Sequence, residues 1–145
     1  MSDWLYPLSS VSGRWFEDAT GIKYPDTSFD SFSKMMKKPS KDNWWYLATN
    51  FRNVAIGDFI WCYYGVADGD LGVVGVAKVE DIVHDEDKGT HDILLDWQVS
   101  ATRKLMANPV PAIMVRKYIS RPRSAVQGLD KYQSLVRNLK KASGI

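Results

Sequence analysis

The segment Phe59-Ile60-Trp61-Cys62-Tyr63-Tyr64 constrains this chain more than any other. Successive strand residues point to opposite faces. Here both alternating sets are apolar: Phe59, Trp61 and Tyr63 on one side, Ile60, Cys62 and Tyr64 on the other. Such a strand needs cover on both faces, and it suits a barrel strand with one face in the core and the other partly covered. The run Gly72 to Asp81 supplies a partner strand, with Ala67-Asp68-Gly69-Asp70 as the hairpin loop between them. Gly75 inside that strand predicts a bulge or a close backbone approach.

The aromatic content around this strand exceeds what a small core requires. Asn43–Asn50 and Gly57–Tyr64 together hold three of the six tryptophans and three of the seven tyrosines. Several of these rings lie beside Asn43, Thr49 and Asn50, so the surplus suits a pocket that stacks a flat ligand, a nucleobase being the first candidate.

The rest of the chain reads as one domain over residues 1–145. Trp4 to Leu8 forms a first strand, placed near a sheet edge because Pro7 cannot donate a ladder hydrogen bond. Ser9 to Asp26 is an ordered loop. Thr27 and Asp30 bracket a helix start in the manner of a capping box. Phe29, Phe32 and Met36 form that helix's apolar stripe, and Lys37-Lys38-Pro39 ends it. Trp44 to Ala48 is a strand, Asn50 to Val54 a turn or short helical step, and Gly57-Asp58 a tight turn. His84 to Thr90 is a charged loop and Asp92 to Val99 a further strand. Pro111 opens a short helix reaching Tyr118. Arg121 to Gly128, firmest from Ser124 on, is the last strand. Asp130 and Gln133 start a final helix in which Tyr132, Leu135, Val136 and Leu139 follow helical spacing. Strands and helices do not alternate regularly. The expected fold is therefore α+β, a small barrel of five to six strands flanked by two to three helices.

Charge is unevenly spread. From Arg103 onward there are ten Lys or Arg and one acid, Asp130, whereas Glu80, Asp81, Asp85, Glu86 and Asp87 cluster before it. A one-sided basic surface fits a polyanionic partner; a solvated helix face produces the same pattern. The candidate phosphate contacts are Arg103, Lys104, Arg116, Lys117, Arg121 and Arg123. Cys62 is the single cysteine, so an intrachain disulfide and a Cys-based zinc site are both excluded, and its aromatic neighbours predict a buried thiol. His84 and His91, beside Asp85, Glu86 and Asp87, read as a charged hairpin tip rather than a metal site. Glu86-x-Lys88 matches the end of a nuclease signature, but its upstream acid could only be Asp68 or Asp70, beside Gly69. No catalysis, cofactor or metal is expected. No run is long enough to cross a bilayer and no signal pattern opens the chain, so a cytoplasmic protein without a membrane partner is expected.

The ordered series Trp-x-x-x-Thr-Asn from Trp45, Ile56-Gly-Asp-Phe-Ile-Trp-Cys-Tyr-Tyr-Gly65, Gly72-Val-Val-Gly-Val-Ala-Lys-Val79 and Arg121-Pro-Arg-Ser-Ala-Val-Gln-Gly-Leu-Asp130 resembles the EVE domains of the PUA-like superfamily, relatives of YTH domains. The resemblance covers roughly Trp44 to Leu139. It implies a barrel that flips a modified base out of a nucleic acid into an aromatic cage. Modified DNA in a modification-dependent restriction or defence system is the favoured ligand. It also implies a nuclease or NTPase, as a partner or a fused domain. In YTH-like cages one wall is a Trp just after the first helix, here Trp44 or Trp45. Strand alternation sends one of these to the core and the other to the cage. The second wall falls on Tyr63 or Tyr64, where the family usually has another Trp. Asn50 and Asp96 become edge-reading groups, with Trp97 a further cage candidate and Trp61 core. Three rival readings remain: a modified-RNA reader with the same cage, a small PUA-like hydrolase using Lys, Tyr and an acid, and a protein-interaction domain with exposed aromatics.

Overall fold

The structure, a computed structural model, describes residues 1–8, 29–37, 44–47, 53–65, 69–85, 90–120, 122 and 126–145. Within these, the element order is β1 (Asp3–Leu8), α1 (Phe29–Lys37), β2 (Trp44–Leu47), β3 (Phe59–Tyr64), β4 (Gly72–Asp85), β5 (Thr90–Trp97), α2 (Val99–Ala107), α3 (Ala112–Arg116), β6 (Gln127–Gly128) and α4 (Gln133–Ser143). The fold is α+β. The six strands form one mixed sheet in the order β2-β5-β4-β3-β1-β6, with β1 parallel to β3 and every other pairing antiparallel.

Two expectations change. The described helices number four rather than two to three, because Val99–Ala107 forms α2 where the sequence suggested only the end of a strand. The sheet is also not closed into a barrel. Among the described residues β2 pairs only with β5, and β6 pairs only with Trp4 and Leu5 of β1, so the two edges do not meet. The apolar demand on both faces of β3 is met by layers instead. On one face Tyr6, Ile60, Cys62, Tyr64, Ile93, Leu95 and Trp97 pack beneath Phe32, Met35 and Met36 of α1. On the other, Leu5, Trp61, Tyr63, Val73 and Val76 pack against Ala101 and Leu105 of α2, Ala112 and Val115 of α3, and Leu135, Val136 and Leu139 of α4. Helical cover at the required spacing suits both faces equally well.

Gly75 behaves as its position in the strand predicts. A Cβ there would lie 2.8 Å from Phe32 Cζ, and the β3–β4 register shifts opposite it, between Cys62 and Tyr63. Gly72 is more constrained still: its φ is +111°, and a Cβ would fall 1.9 Å from the Val110 carbonyl oxygen. This is the point where the chain after α2 bridges to Val73 and then enters α3.

Two buried carboxylates hold the sheet's aromatic layers. Asp58 accepts from the Trp4 indole N–H, the Ser2 N–H and the Ala55 N–H, each at 2.9 Å. Asp3 accepts from the Trp61 indole N–H at 2.9 Å. The start of α4 differs from the expected capping box. The helix begins at Gln133, whose side-chain amide donates to the Asp130 carbonyl at 2.8 Å, while the Asp130 carboxylate accepts from the Ser2 hydroxyl at 3.1 Å. The Thr27 cap and the Ser124 strand start lie outside the described residues.

Candidate nucleic-acid interface

The Trp44–Trp45 pair separates as strand alternation requires. Register places Trp44 opposite Leu94 and Trp45 opposite Ile93. Trp45 and Ile93 are buried in the α1-side core. Trp44 and Leu94 therefore share the other face, and both are half-buried and belong to neither core.

The aromatic surplus is largely spent in packing. Tyr6 meets Trp45 with ring centroids 5.2 Å apart, Trp45 meets Trp97 at 5.3 Å, Trp97 meets Phe32 at 5.6 Å and Phe32 meets Tyr64 at 5.7 Å. Interplanar angles in this chain run from 60° to 74°. Edge contacts of this kind suit quadrupole interactions and leave no slot between parallel walls. The cage expected from Trp45, Tyr64 and Trp97 is thus a filled core layer. The Trp97 indole nitrogen in this layer is buried and has no hydrogen-bond partner.

Tyr63 faces the opposite side of the sheet from Tyr64 and Trp45, the side that Trp44 also occupies. Burial raises its phenol pKa, while a hydrogen bond with Arg116 works the other way. Arg116 in turn donates to Asp70 at 2.8 Å. This Asp70–Arg116–Tyr63 chain ties α3 to the β3–β4 hairpin, so Arg116 is committed within the protein rather than free for phosphate. Asp70 is the ion-pair partner in this chain. Cys62 is fully buried, and desolvation pushes its thiol pKa well above the usual range, which makes it unreactive.

Asp96, Trp97 and Lys104, drawn from the cage and phosphate sets, come together. They line an open cleft of about 490 Å³ between the end of β5, the start of α2 and the end of α4, together with Gln98, Val99, Ser100, Ala101 and Ser143 to Ile145. Ligand pockets typically span about 300–1,000 Å³. The local sequence explains the cleft's chemistry. Gln98 occupies the N-cap position of α2 without a side-chain capping bond, and Val99, Ser100 and Ala101 of its first turn line the cleft. Instead, the Gln98 amide donates to the Asp96 backbone oxygen at 3.2 Å and to its carboxylate at 3.4 Å. Lys104 lies against the C-cap of α4, its Nζ beside Gly144. The cleft thus combines the exposed Asp96 carboxylate, the first turn of α2 and the Lys104 ammonium.

Asp96 extends this site onto the sheet. It pairs across from Lys78 and lies two residues beyond Leu94 on the same face, so it is a diagonal neighbour of Trp44. Diagonal pairs in a sheet are about 7–8 Å apart, within reach of an aromatic side chain. Arg103 and Lys117 are exposed on α2 and at the end of α3. Asn50, Arg121 and Arg123 lie outside the described residues, as do Asp68, Glu86 and Lys88. Among the described residues no cluster of His, Cys, Asp or Glu could hold a metal, and no helix is long and apolar enough to cross a membrane.

The position of one tryptophan off the core was within reach of the sequence, since alternation forces one of the pair there. Gln98 and the uncapped start of α2 were missed, because Val99-Ser-Ala-Thr lacks the usual cap residue. Comparison with known protein families, with curated proteins and with solved structures finds no match.

Proposed function

We propose that this chain is a nucleic-acid reader of the PUA-like, EVE-domain kind, which holds a modified base on the open sheet face beside the cleft. Modified DNA in a restriction or defence system is the favoured ligand, with the nuclease or NTPase supplied elsewhere. The observation that carries this reading is Trp44: a half-buried indole outside both cores, sharing its face with Asp96 and adjoining a cleft that holds Lys104. A base stacked on Trp44 gains about 1–3 kcal/mol, which offsets most of the few kcal/mol needed to unstack it. The Asp96 carboxylate accepts from an exocyclic amino group. Lys104 and the uncapped first turn of α2 take the adjacent phosphate. The basic residues carried by α2, α3 and α4 supply the longer-range attraction.

The test is a binding panel of modified and plain oligonucleotides, DNA and RNA, against wild type, Trp44→Ala and Lys104→Ala. Trp44→Ala should remove the preference for a modified base while the chain stays folded. Lys104→Ala should weaken all sequences alike and lower the salt slope by about one. The reading fails if wild type binds no oligonucleotide at low salt, or if Trp44→Ala discriminates as well as wild type.

A further inference from the structure

The open floor around Trp44 is acidic. Asp96 is a diagonal neighbour of Trp44, and Asp81 faces Leu94 from β4. Asp81 and Asp96 are exposed. Lys78, which faces Asp96, is drawn away, with its Nζ 5.8 Å from the centroid of the Phe59 ring. Val83, on the same face, is 48% exposed, so the floor is open to a ligand. This charge poses a physical problem for the base platform of a nucleic-acid reader. Carboxylates repel the phosphate backbone, and a neutral base needs at most one acceptor at its edge.

The problem disappears if the base is positively charged. A cation over an indole face is attracted by the ring quadrupole, most strongly for Trp, and surrounding carboxylates add to that attraction. The basic side of the cleft at Lys104 then receives the phosphate of the same nucleotide. The charge pattern of acid at the aromatic platform and base beside it matches a nucleotide that is cationic at its base and anionic at its backbone. A cationic peptide matches only the first half and is repelled by the basic helices. We infer that the base held on Trp44 is N-alkylated and carries a fixed positive charge, as 1-methyladenine and 3-methylcytosine do. This rests on the proposed reading and specifies its ligand.

Isomeric bases separate charge from methyl burial. Single-stranded oligonucleotides of one sequence carrying 1-methyladenine or the neutral N6-methyladenine, and 3-methylcytosine or the neutral 5-methylcytosine, are titrated into the full chain. A lysine-rich peptide carrying trimethyl-lysine serves as the competing cation. The cationic isomer should bind at least tenfold tighter than its neutral counterpart. Asp96→Asn should reduce that ratio several-fold, and Trp44→Ala should abolish it. Because Asp96 is exposed and Trp44 lies outside both cores, circular dichroism should be unaltered in both variants. Equal affinity for the isomers, with salt-dependent binding of plain oligonucleotide intact, overturns the inference and spares the proposed reading. Absence of all oligonucleotide binding overturns both. Preference for the trimethyl-lysine peptide overturns the assignment of the site to nucleic acid.

Discussion

Thr102 anchors α2, and hence the cleft, in a way that yields a sharp stability prediction. Strand β5 ends at Trp97, paired with Ala77, so Val76 has no strand partner on that side. The Val76 N–H instead donates to Thr102 Oγ1 at 3.1 Å, and the Thr102 hydroxyl donates back to the Val76 carbonyl at 3.1 Å. That carbonyl also accepts from the Gln98 N–H at 3.1 Å. Thr102→Val keeps the shape and removes the hydroxyl. The carbonyl retains Gln98, so only the N–H is orphaned, and one buried unsatisfied donor costs about 1–3 kcal/mol. Thr102→Ser retains the hydroxyl and loses one buried methyl, about 0.8 kcal/mol. Urea unfolding should therefore rank wild type above Thr102→Ser and Thr102→Ser above Thr102→Val, with unchanged m-value. Native-state hydrogen exchange at the Val76 amide should accelerate in Thr102→Val alone. The reasoning is refuted if Thr102→Val is as stable as wild type, or if the Val76 amide stays equally protected.

Other outcomes follow from single positions. Gly72→Ala should cost at least about 3 kcal/mol, since a positive φ alone is worth about 1–3 kcal/mol of strain and the added Cβ meets the Val110 carbonyl; thermal melts with Gly69→Ala, where nothing lies within 4 Å, separate strain from clash. Cys62 should react with a thiol reagent only as fast as the protein unfolds, and rapid labelling of native protein would contradict its burial. Burial raises the Tyr63 pKa above its usual 10, so the unfolded chain loses that proton first. The associated stability is present below pH 10 and falls as pH rises through the folded value. Tyr63→Phe should flatten that alkaline decline in urea titrations, and an identical decline in the variant would contradict it.

Much of the sheet was legible because its signals are local. The double apolar alternation of Phe59–Tyr64, the Gly57-Asp58 turn and Gly75 each determine geometry within a few residues. The parallel neighbour of β3 was not legible, because β1 is remote in sequence and nothing in Trp4–Leu8 names its partner. The layered arrangement was misread as a barrel for a related reason: a strand apolar on both faces requires cover but does not say whether strands or helices provide it. Helix α2 escaped because its inward stripe is Ala101, Thr102 and Leu105, in which the central position is a threonine spent on Val76. The site was half legible. Alternation announced that one of Trp44 and Trp45 leaves the core, while only the β2–β5 register shows which, and shows that Asp96 stands diagonal to it.

The central claim concerns one indole, and its N–H can be watched directly. Nitrogen-15 correlation spectra of the full chain resolve one indole signal per tryptophan, assigned by single Trp→Phe variants. Titration with an oligonucleotide bearing the preferred modified base should shift the Trp44 indole signal progressively. The signals of Trp4, Trp45 and Trp61, buried in the cores, should stay in place. A titration in which binding is measured but the Trp44 signal does not move, while a core indole does, would contradict the account.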